Sequence, residues 1–383
     1  MLRDISWRYF DFLLLGAVVV ATAFGTTMIR SAIAGNEELL PLINRQIYFA
    51  LLGIVLIFVV AAIDYRYWMS LYRPIFIVIS IMLIALFLGA HAVFGAARWF
   101  QVGVLFLQPT EFAKIAAILL LSRYFDKTQN RPRDLRWLIG GFLWTMSIGI
   151  WILLQPNLSN VVVLMVILAA LLWFNGMQIR HLLIIGGVGA ILVTTIFGLT
   201  YLGVPLYQIK IGNSSLIQKY QQDRIRNFIQ PDQQVTFGET YNVDQAKIAI
   251  GSGGLFGKGY GHGTQTQLRF LKVRHTDFIF SAVSEEFGLV GSLIVISIIV
   301  FVVWRCFRAA QKARDVAGMC IAYGVATLIF FQGMVNIGVN LNIVPVSGLP
   351  LPFISYGGSG LTSLMLGIGL VESVAMRHRQ MEF

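Results

Sequence analysis

Two cysteines in 383 residues, Cys306 and Cys320, give no disulfide framework, no C-x-x-C redox motif and no thiolate metal spacing. They read as packing residues. Charge is scarce as well: 12% of the residues are charged, where soluble proteins carry about 25%. That excludes the ordinary soluble globular class. Acidic residues are the scarcer sign, with 18 Asp and Glu against 29 Lys and Arg, for a net charge of +11. No internal repeat stands out, and the inverted halves common in transporters are not visible, which disfavours transport. The first apolar stretch is too long for a signal-peptide core and lacks a small-residue cleavage site, so it reads as a retained helix.

What is present is apolar. Hydrophobic residues make up 57% of the chain and the mean hydropathy is +0.75. Ten stretches of roughly membrane-crossing length are predicted at Phe10–Met28, Ile47–Ile63, Ile75–Phe94, Phe112–Tyr124, Leu138–Leu154, Leu158–Phe174, Leu182–Val204, Phe278–Trp304, Ala317–Val344 and Ser359–Met376. The fourth is short and opens with Glu111 and Lys114. It is retained because without it the alternation of loop charge breaks. One set of short connections and termini carries 16 Lys and Arg, while the opposite set carries Arg30, Arg45 and Arg98. By the positive-inside rule both termini are cytoplasmic. The expected fold is therefore an all-α polytopic membrane protein with ten transmembrane helices, read as one integral membrane domain over residues 1–383. The basic residues sit in short turns beside anionic headgroups, so no nucleic-acid partner is expected.

Residues 205–277, between the seventh and eighth spans, form one large loop on the extracytoplasmic side, with nine Lys and Arg against five Asp and Glu. Loops this long tend to be functional. Lys219, Arg224 and Arg226 are expected on one cationic helix face suited to an anionic lipid headgroup. The glycine-rich run Gly251–Gly263 around Lys258 fails both the Walker A and the dinucleotide patterns, yet such a backbone can cradle a pyrophosphate.

The run His275-Thr-Asp277 places an aspartate where the chain re-enters the membrane. Asp277 is expected to cap the eighth helix, but Glu285 and Glu286 follow within an apolar run where carboxylates are costly. Asp277, Ser281 and Glu285 would then form an acidic stripe able to hold a proton, a cation or a sugar hydroxyl. Glu111 and Lys114, three residues apart, can pair as a structural ion pair. Alternatively Arg98 and Lys114 receive an anionic group while Glu111 positions one of them. The proline- and glycine-rich run Pro345–Ser359 cannot face lipid and is expected to shape a groove.

The motifs Gly95-Ala-Ala-Arg-Trp99, Gln108-Pro-Thr-Glu-Phe-Ala-Lys114, Ala249-Ile-Gly-Ser-Gly-Gly-Leu-Phe-Gly-Lys-Gly259, Gln265-Thr-Gln-Leu-Arg-Phe270, His275-Thr-Asp-Phe-Ile-Phe280 and Gly348-Leu-Pro-Leu-Pro-Phe-Ile-Ser-Tyr-Gly-Gly358 resemble those of the SEDS family (shape, elongation, division and sporulation). The resemblance covers nearly the whole chain, and Gly348-Leu-Pro-Leu-Pro-Phe353 favours the RodA type. It implies a peptidoglycan glycosyltransferase of the bacterial cytoplasmic membrane. Such an enzyme polymerises lipid II on the outer face, with a class B penicillin-binding protein and other elongation-complex membrane proteins as partners.

By the same resemblance Asp277 falls on the family's essential aspartate and is expected to be the general base. Arg98, Glu111, Lys114, Lys258 and Ser355 are expected to bind substrate. A divalent cation, Mg2+ or Mn2+, is a possible aid to the leaving pyrophosphate, and no organic cofactor is expected. The chain departs from the family pattern at Asn157, where an Asp is usual, at Lys272-Val-Arg274, and at Gly360. A flippase for the same lipid-linked precursor is the competing reading, and a scaffold for the penicillin-binding partner is a third.

Overall fold

The computed structural model describes the chain apart from residues 1–6, 35–36, 90–98, 103–104, 209, 212–213, 216–217, 231–238, 269, 272–273 and 379–383. Helices occupy all ten predicted apolar segments. They are α1 (Phe12–Ala32), α2 (Pro41–Ala62), α4 (Tyr72–Gly89), α5 (Pro109–Lys127), α6 (Leu135–Leu154), α7 (Leu158–Phe174), α8 (Ile179–Tyr201), α12 (Ile279–Gln311), α13 (Val316–Asn340) and α14 (Gly358–Met376). Seven are long and apolar enough to cross a membrane. The other three are α4 and α7, which are shorter apolar helices, and α5, whose first turns hold Glu111 and Lys114. The chain is an all-α multi-pass membrane protein. Of the expected charge-bearing site residues, Arg98 lies outside the described residues.

Short helices fill the connections: α3 (Tyr65–Ser70) between α2 and α4, then α9 (Lys219–Ile229), α10 (Glu239–Ser252) and α11 (Thr264–Gln267) in the long loop. A two-stranded antiparallel hairpin, β1 (Phe100–Val102) with β2 (Leu105–Leu107), precedes α5. Pro109 at the first turn of α5 costs no helical hydrogen bond there, and Glu111 lies where the helix dipole favours an acid.

Burial divides the helices by place. Most of α14 is buried, down to Glu372 and Ser373 near its end. The apolar window of α8 is wholly unburied, so α8 sits at the periphery with Leu183, Ile184, Ile191 and Leu192 exposed. Cys306 and Cys320 are buried free thiols, and Cys320 takes a hydrogen bond from Asn175.

The 33-residue α12 is not continuous: Gly288 has φ 65° and ψ −159°. A left-handed φ is open to glycine without the Cβ penalty. The break separates a short segment that begins beside Asp277 from the long apolar remainder.

Candidate active site

The start of α12 is held from the neighbouring helix. The N-cap position falls on Phe278, which makes no side-chain cap bond, so the structure corrects the expectation that Asp277 caps the helix. An N–H of the first turn is satisfied from outside instead: Ser281 N donates to Asn340 Oδ1 at 3.0 Å. The same Asn340 donates through Nδ2 to the Asp277 carbonyl at 2.9 Å. Asn336, one turn earlier on α13, donates to that carbonyl at 3.0 Å and to the Leu349 carbonyl at 2.8 Å.

The two preceding carbonyls are held by the loop before α14. Ser355 Oγ donates to Thr276 O at 2.7 Å and accepts from Leu351 N at 2.8 Å. Tyr356 N donates to His275 O at 2.9 Å. Three consecutive backbone carbonyls are therefore clamped, which fixes where the half-buried Asp277 side chain starts. Ser355 is buried with its hydroxyl engaged on both sides, so the structure places it as a brace for the Asp277 backbone. His275 titrates far below the ordinary histidine range, at about 4, because burial and the adjacent Arg274 charge both oppose protonation.

Glu111 and Lys114 form the expected ion pair at 2.7 Å. Lys114 is wholly buried and Glu111 nearly so. Among the described residues Glu111 Oε2 has no hydrogen-bond partner, and it lies 3.5 Å from where a Cβ on Gly360 would sit. The start of α14 is fastened to the start of α5 nearby: Gln108 N donates to Ser359 Oγ at 3.0 Å, and Ser359 Oγ donates to Phe106 O at 3.1 Å. The segment 348–360 thus supports the Asp277 backbone through Ser355 and Tyr356 and closes over the Glu111–Lys114 pair through Gly360. A buried pair gives little net stability, but losing one partner strands the other charge.

The glycine-rich loop has a different use from the expected phosphate cradle. In an unbroken helix, Leu289 N and Val290 N would donate to the carbonyls of Glu285 and Glu286. The break at Gly288 frees all four groups, and the loop takes each of them. Lys258 N donates to Glu285 O at 3.0 Å, Gly259 N to Glu286 O at 2.9 Å, Leu289 N to Gly254 O at 2.9 Å and Val290 N to Leu255 O at 3.1 Å. The glycines permit this approach: a Cβ on Gly253 would lie 2.0 Å from Ser284 O, and one on Gly257 would lie 2.2 Å from Glu286 O. These N–H groups are spent on the broken helix.

Lys258 and the expected acidic stripe are resolved by the same splice. Lys258 Nζ pairs with Glu285 Oε1 at 2.8 Å. The Glu285 carboxylate also accepts from Thr264 Oγ1, Gln265 N, Thr266 N and Thr266 Oγ1. Glu286 accepts from Ser31 on α1. Glu285 is thus saturated by the loop and α11, and it does not extend a stripe from Asp277.

On α9 the three expected cations do not share a face. Lys219 and Arg226 are exposed, whereas Arg224 is half-buried and lies over the Tyr220 ring at 5.5 Å. Five residues turn a helix through about 500°, which puts Arg224 roughly 140° away from Lys219.

The fit of a divalent cation can be judged from the donors present. Among the described residues no group of three or more His, Cys, Asp or Glu side chains is placed to hold a metal ion. A divalent cation held by one or two carboxylates together with a substrate pyrophosphate needs no such group, and no chemical step is derived through the cation. The sequence reading missed Asn336, Asn340 and Ser359. A signal was there: two amides four residues apart inside an apolar span are costly in lipid and fall on one helix face.

Residues 4–380 match the cell cycle protein family FtsW/RodA/SpoVE. The chain is 34% identical over 340 residues to the peptidoglycan glycosyltransferase MrdB of Escherichia coli K12, covering 89% of this chain and 87% of that protein. It is also 34% identical over 378 residues to the "Probable peptidoglycan glycosyltransferase FtsW" of Trichlorobacter lovleyi, covering 96% and 93%. Among solved structures, a chain from work on structural coordination of polymerization and crosslinking by a peptidoglycan synthase complex superposes with a TM-score of 0.80. It shares 26% identity and covers 98% of this chain and all of that one. The rod shape determining protein RodA of Thermus thermophilus gives a TM-score of 0.69 at 27% identity, covering 98% of this chain and 99% of its own. With the clamped His275-Thr-Asp277 backbone and the buried Glu111–Lys114 pair set in this helical frame, the chain belongs to the FtsW/RodA/SpoVE family, the SEDS proteins.

Proposed function

We propose that this chain polymerises lipid II into glycan strands during cell elongation, at the extracytoplasmic side of the bacterial cytoplasmic membrane, with Asp277 as general base. Family membership and the relatives above make it a peptidoglycan glycosyltransferase. The elongation role rests on the run Gly348-Leu-Pro-Leu-Pro-Phe353, because identity to the MrdB and FtsW relatives is the same 34%. The side of the membrane rests on the charge of the short loops.

The observation that carries the base assignment is the three-carbonyl clamp. It immobilises the backbone of Asp277 through Asn336, Asn340, Ser355 and Tyr356, and Asn340 also holds the Ser281 N–H in the first turn of α12. A general base must be deprotonated and within hydrogen-bond reach of its proton, and a fixed backbone narrows the positions its carboxylate samples. In the proposed step the carboxylate takes the proton of the acceptor sugar 4-hydroxyl as that oxygen attacks the donor anomeric carbon. The bond from that carbon to the lipid pyrophosphate breaks, the electron pair leaves with the pyrophosphate, and the α-linked donor becomes a β-linked product. Neutral His275 beside it adds no competing charge.

A class B penicillin-binding protein is the proposed partner, in keeping with the similarity to a chain of a peptidoglycan synthase complex. The test is conversion of lipid II to polymer by the full chain with that partner in detergent, where there is no membrane to flip across. Polymer supports a polymerase. Its absence, together with lipid II movement across the bilayer of sealed vesicles, would support the flippase reading.

A further inference from the structure

A polar cavity of about 280 Å³ lies at the other end of the helices that carry the candidate site. It opens between α3, the end of α5 and the start of α13, on the side that the loop charge assigns to the cytoplasm. Buried Met69 and Ala317 line it together with Arg66, Arg123, Asp126 and Asp315. The proposed reaction uses none of these residues.

Both carboxylates of the cavity are already engaged. Asp315 caps α13 through Oδ1, which accepts from Gly318 N at 2.8 Å, while its Oδ2 accepts from Tyr65 OH at 2.9 Å and from Arg66 Nε at 3.1 Å. Asp126 Oδ2 accepts from Arg123 Nη1 at 3.0 Å. What remains is a donor: the Nε–H of Arg123 is buried and has no hydrogen-bond partner among the described residues. An unpaired buried N–H is costly, and an acceptor seated in the cavity removes that cost.

The charge around the cavity points the same way. Lys127, one turn beyond Arg123 on α5, lies 5.9 Å from the centroid of the Tyr72 ring, and Arg73 donates through Nε to the Tyr72 hydroxyl at 3.0 Å. With Arg66 and Arg123 these cations outnumber Asp126 and Asp315 two to one. The surroundings are those of a membrane interface. Tyr65, Tyr67, Trp68 and Tyr72 fall within the short connection from α2 into α4, and such rings gather at headgroup level. From the same connection α4 presents exposed Ile77, Val78 and Ile81, a surface for acyl chains.

We propose that this cavity binds the phosphate of an anionic phospholipid from the cytoplasmic leaflet, with Arg66 and Arg123 as its donors. A basic pocket between helix ends on that side suits such a headgroup. The bound phosphate bridges α3, α5 and α13, and so ties together the far ends of the helices that carry Glu111–Lys114 and Asn336–Asn340. The assignment does not depend on the glycosyltransferase reading.

The test is retention of phosphatidylglycerol by the full chain in detergent micelles, read by native mass spectrometry, with phosphatidylcholine and inorganic phosphate as competitors. Wild type is expected to retain phosphatidylglycerol against both. Arg123→Gln is expected to weaken retention about fivefold, the effect of one basic side chain on an anionic headgroup, and Arg66→Gln with Arg123→Gln to weaken it further. Asp126→Asn removes an opposing carboxylate and is expected to strengthen retention about two- to fivefold, a gain that a misfolded variant would not give. Arg180→Gln with Arg308→Gln takes the same charge from α8 and α12, which do not line the cavity, and is expected to change nothing.

Equal retention by wild type, Arg123→Gln and the Arg66/Arg123 double variant overturns the proposal. So does a loss in the Arg180/Arg308 variant as large as in that double variant, which would mark general surface charge. Phosphatidylcholine competing as strongly as phosphatidylglycerol would refute selectivity for an anionic lipid. Displacement by inorganic phosphate would make the site one for the free ion and overturn the lipid assignment.

Discussion

Asn340 grips both sides of the residue it serves: its Nδ2 donates to the Asp277 carbonyl at 2.9 Å, and its Oδ1 accepts from Ser281 N at 3.0 Å. One side chain thus fixes the end of the loop and the first turn of the helix, and Asn336 adds a second amide to the same carbonyl. The arrangement leaves Asp277 on a rigid mount.

Removing that mount is expected to impair turnover more than binding. Asn340→Leu orphans the buried Ser281 N–H, a cost of about 1–3 kcal/mol, and leaves the Asp277 carbonyl on Asn336 alone. With Asp277 no longer held, kcat is expected to fall about tenfold or more with KM nearly unchanged. Steady-state polymerisation by Asn336→Leu and Asn340→Leu is the check. Normal kcat in both variants would mean that the clamp has no part in the reaction.

The Glu111–Lys114 pair is expected to show the asymmetry of buried charges. Lys114→Met leaves Glu111 alone in the interior and is expected to destabilise the fold by about 3–5 kcal/mol, whereas Glu111→Leu with Lys114→Met recovers most of that loss. Thermal unfolding of the purified variants reads this directly. A double variant as unstable as the single one would contradict the account of the pair.

The glycine loop offers a contrast within one motif. Gly257→Ala sets a Cβ against Glu286 O at a φ of 81° and is expected to lower the melting temperature by several degrees. Gly251→Ala meets nothing within 4 Å and lies in the last turns of α10, where Ala is favoured over Gly by about 0.5–1 kcal/mol. It is expected to be neutral or stabilising. Melting curves that rank the two in the opposite order would refute the splice.

The titration of His275 has a defined sign. Its folded value of about 4 lies below the ordinary 6.5, so the unfolded chain binds the extra proton first. The stability from keeping the ring neutral is fully present above about pH 6.5 and is lost as pH falls from there toward 4. His275→Gln is expected to flatten the fall in melting temperature across that window. An unchanged slope would place the His275 ring in water.

The ten apolar segments were legible because a membrane-spanning helix must satisfy its backbone within itself and therefore writes its length into the sequence. The place of Asp277 just before an apolar helix was legible, and so was the Glu111–Lys114 pair, by its helical spacing. The clamp was not. Asn336 and Asn340 lie about 60 residues from Asp277 along the chain, and only the packing of α13 against α12 brings them to it. The glycine loop was misread because flexible backbone near an anion and flexible backbone spliced into a broken helix share one composition, and the break at Gly288 is itself tertiary. The misplacement of Arg224 was of another kind: helical geometry alone separates it from Lys219 and Arg226.

The central claim is that Asp277 removes the acceptor proton. The measurement that tests it most directly is polymer formation from lipid II by wild type and Asp277→Asn, each with its penicillin-binding partner and each shown to bind that partner equally. The account predicts glycan from wild type and a loss of about 100-fold or more in the Asn variant, the span typical of a missing general base. Equal rates from the two proteins would contradict it and leave Asp277 a structural residue.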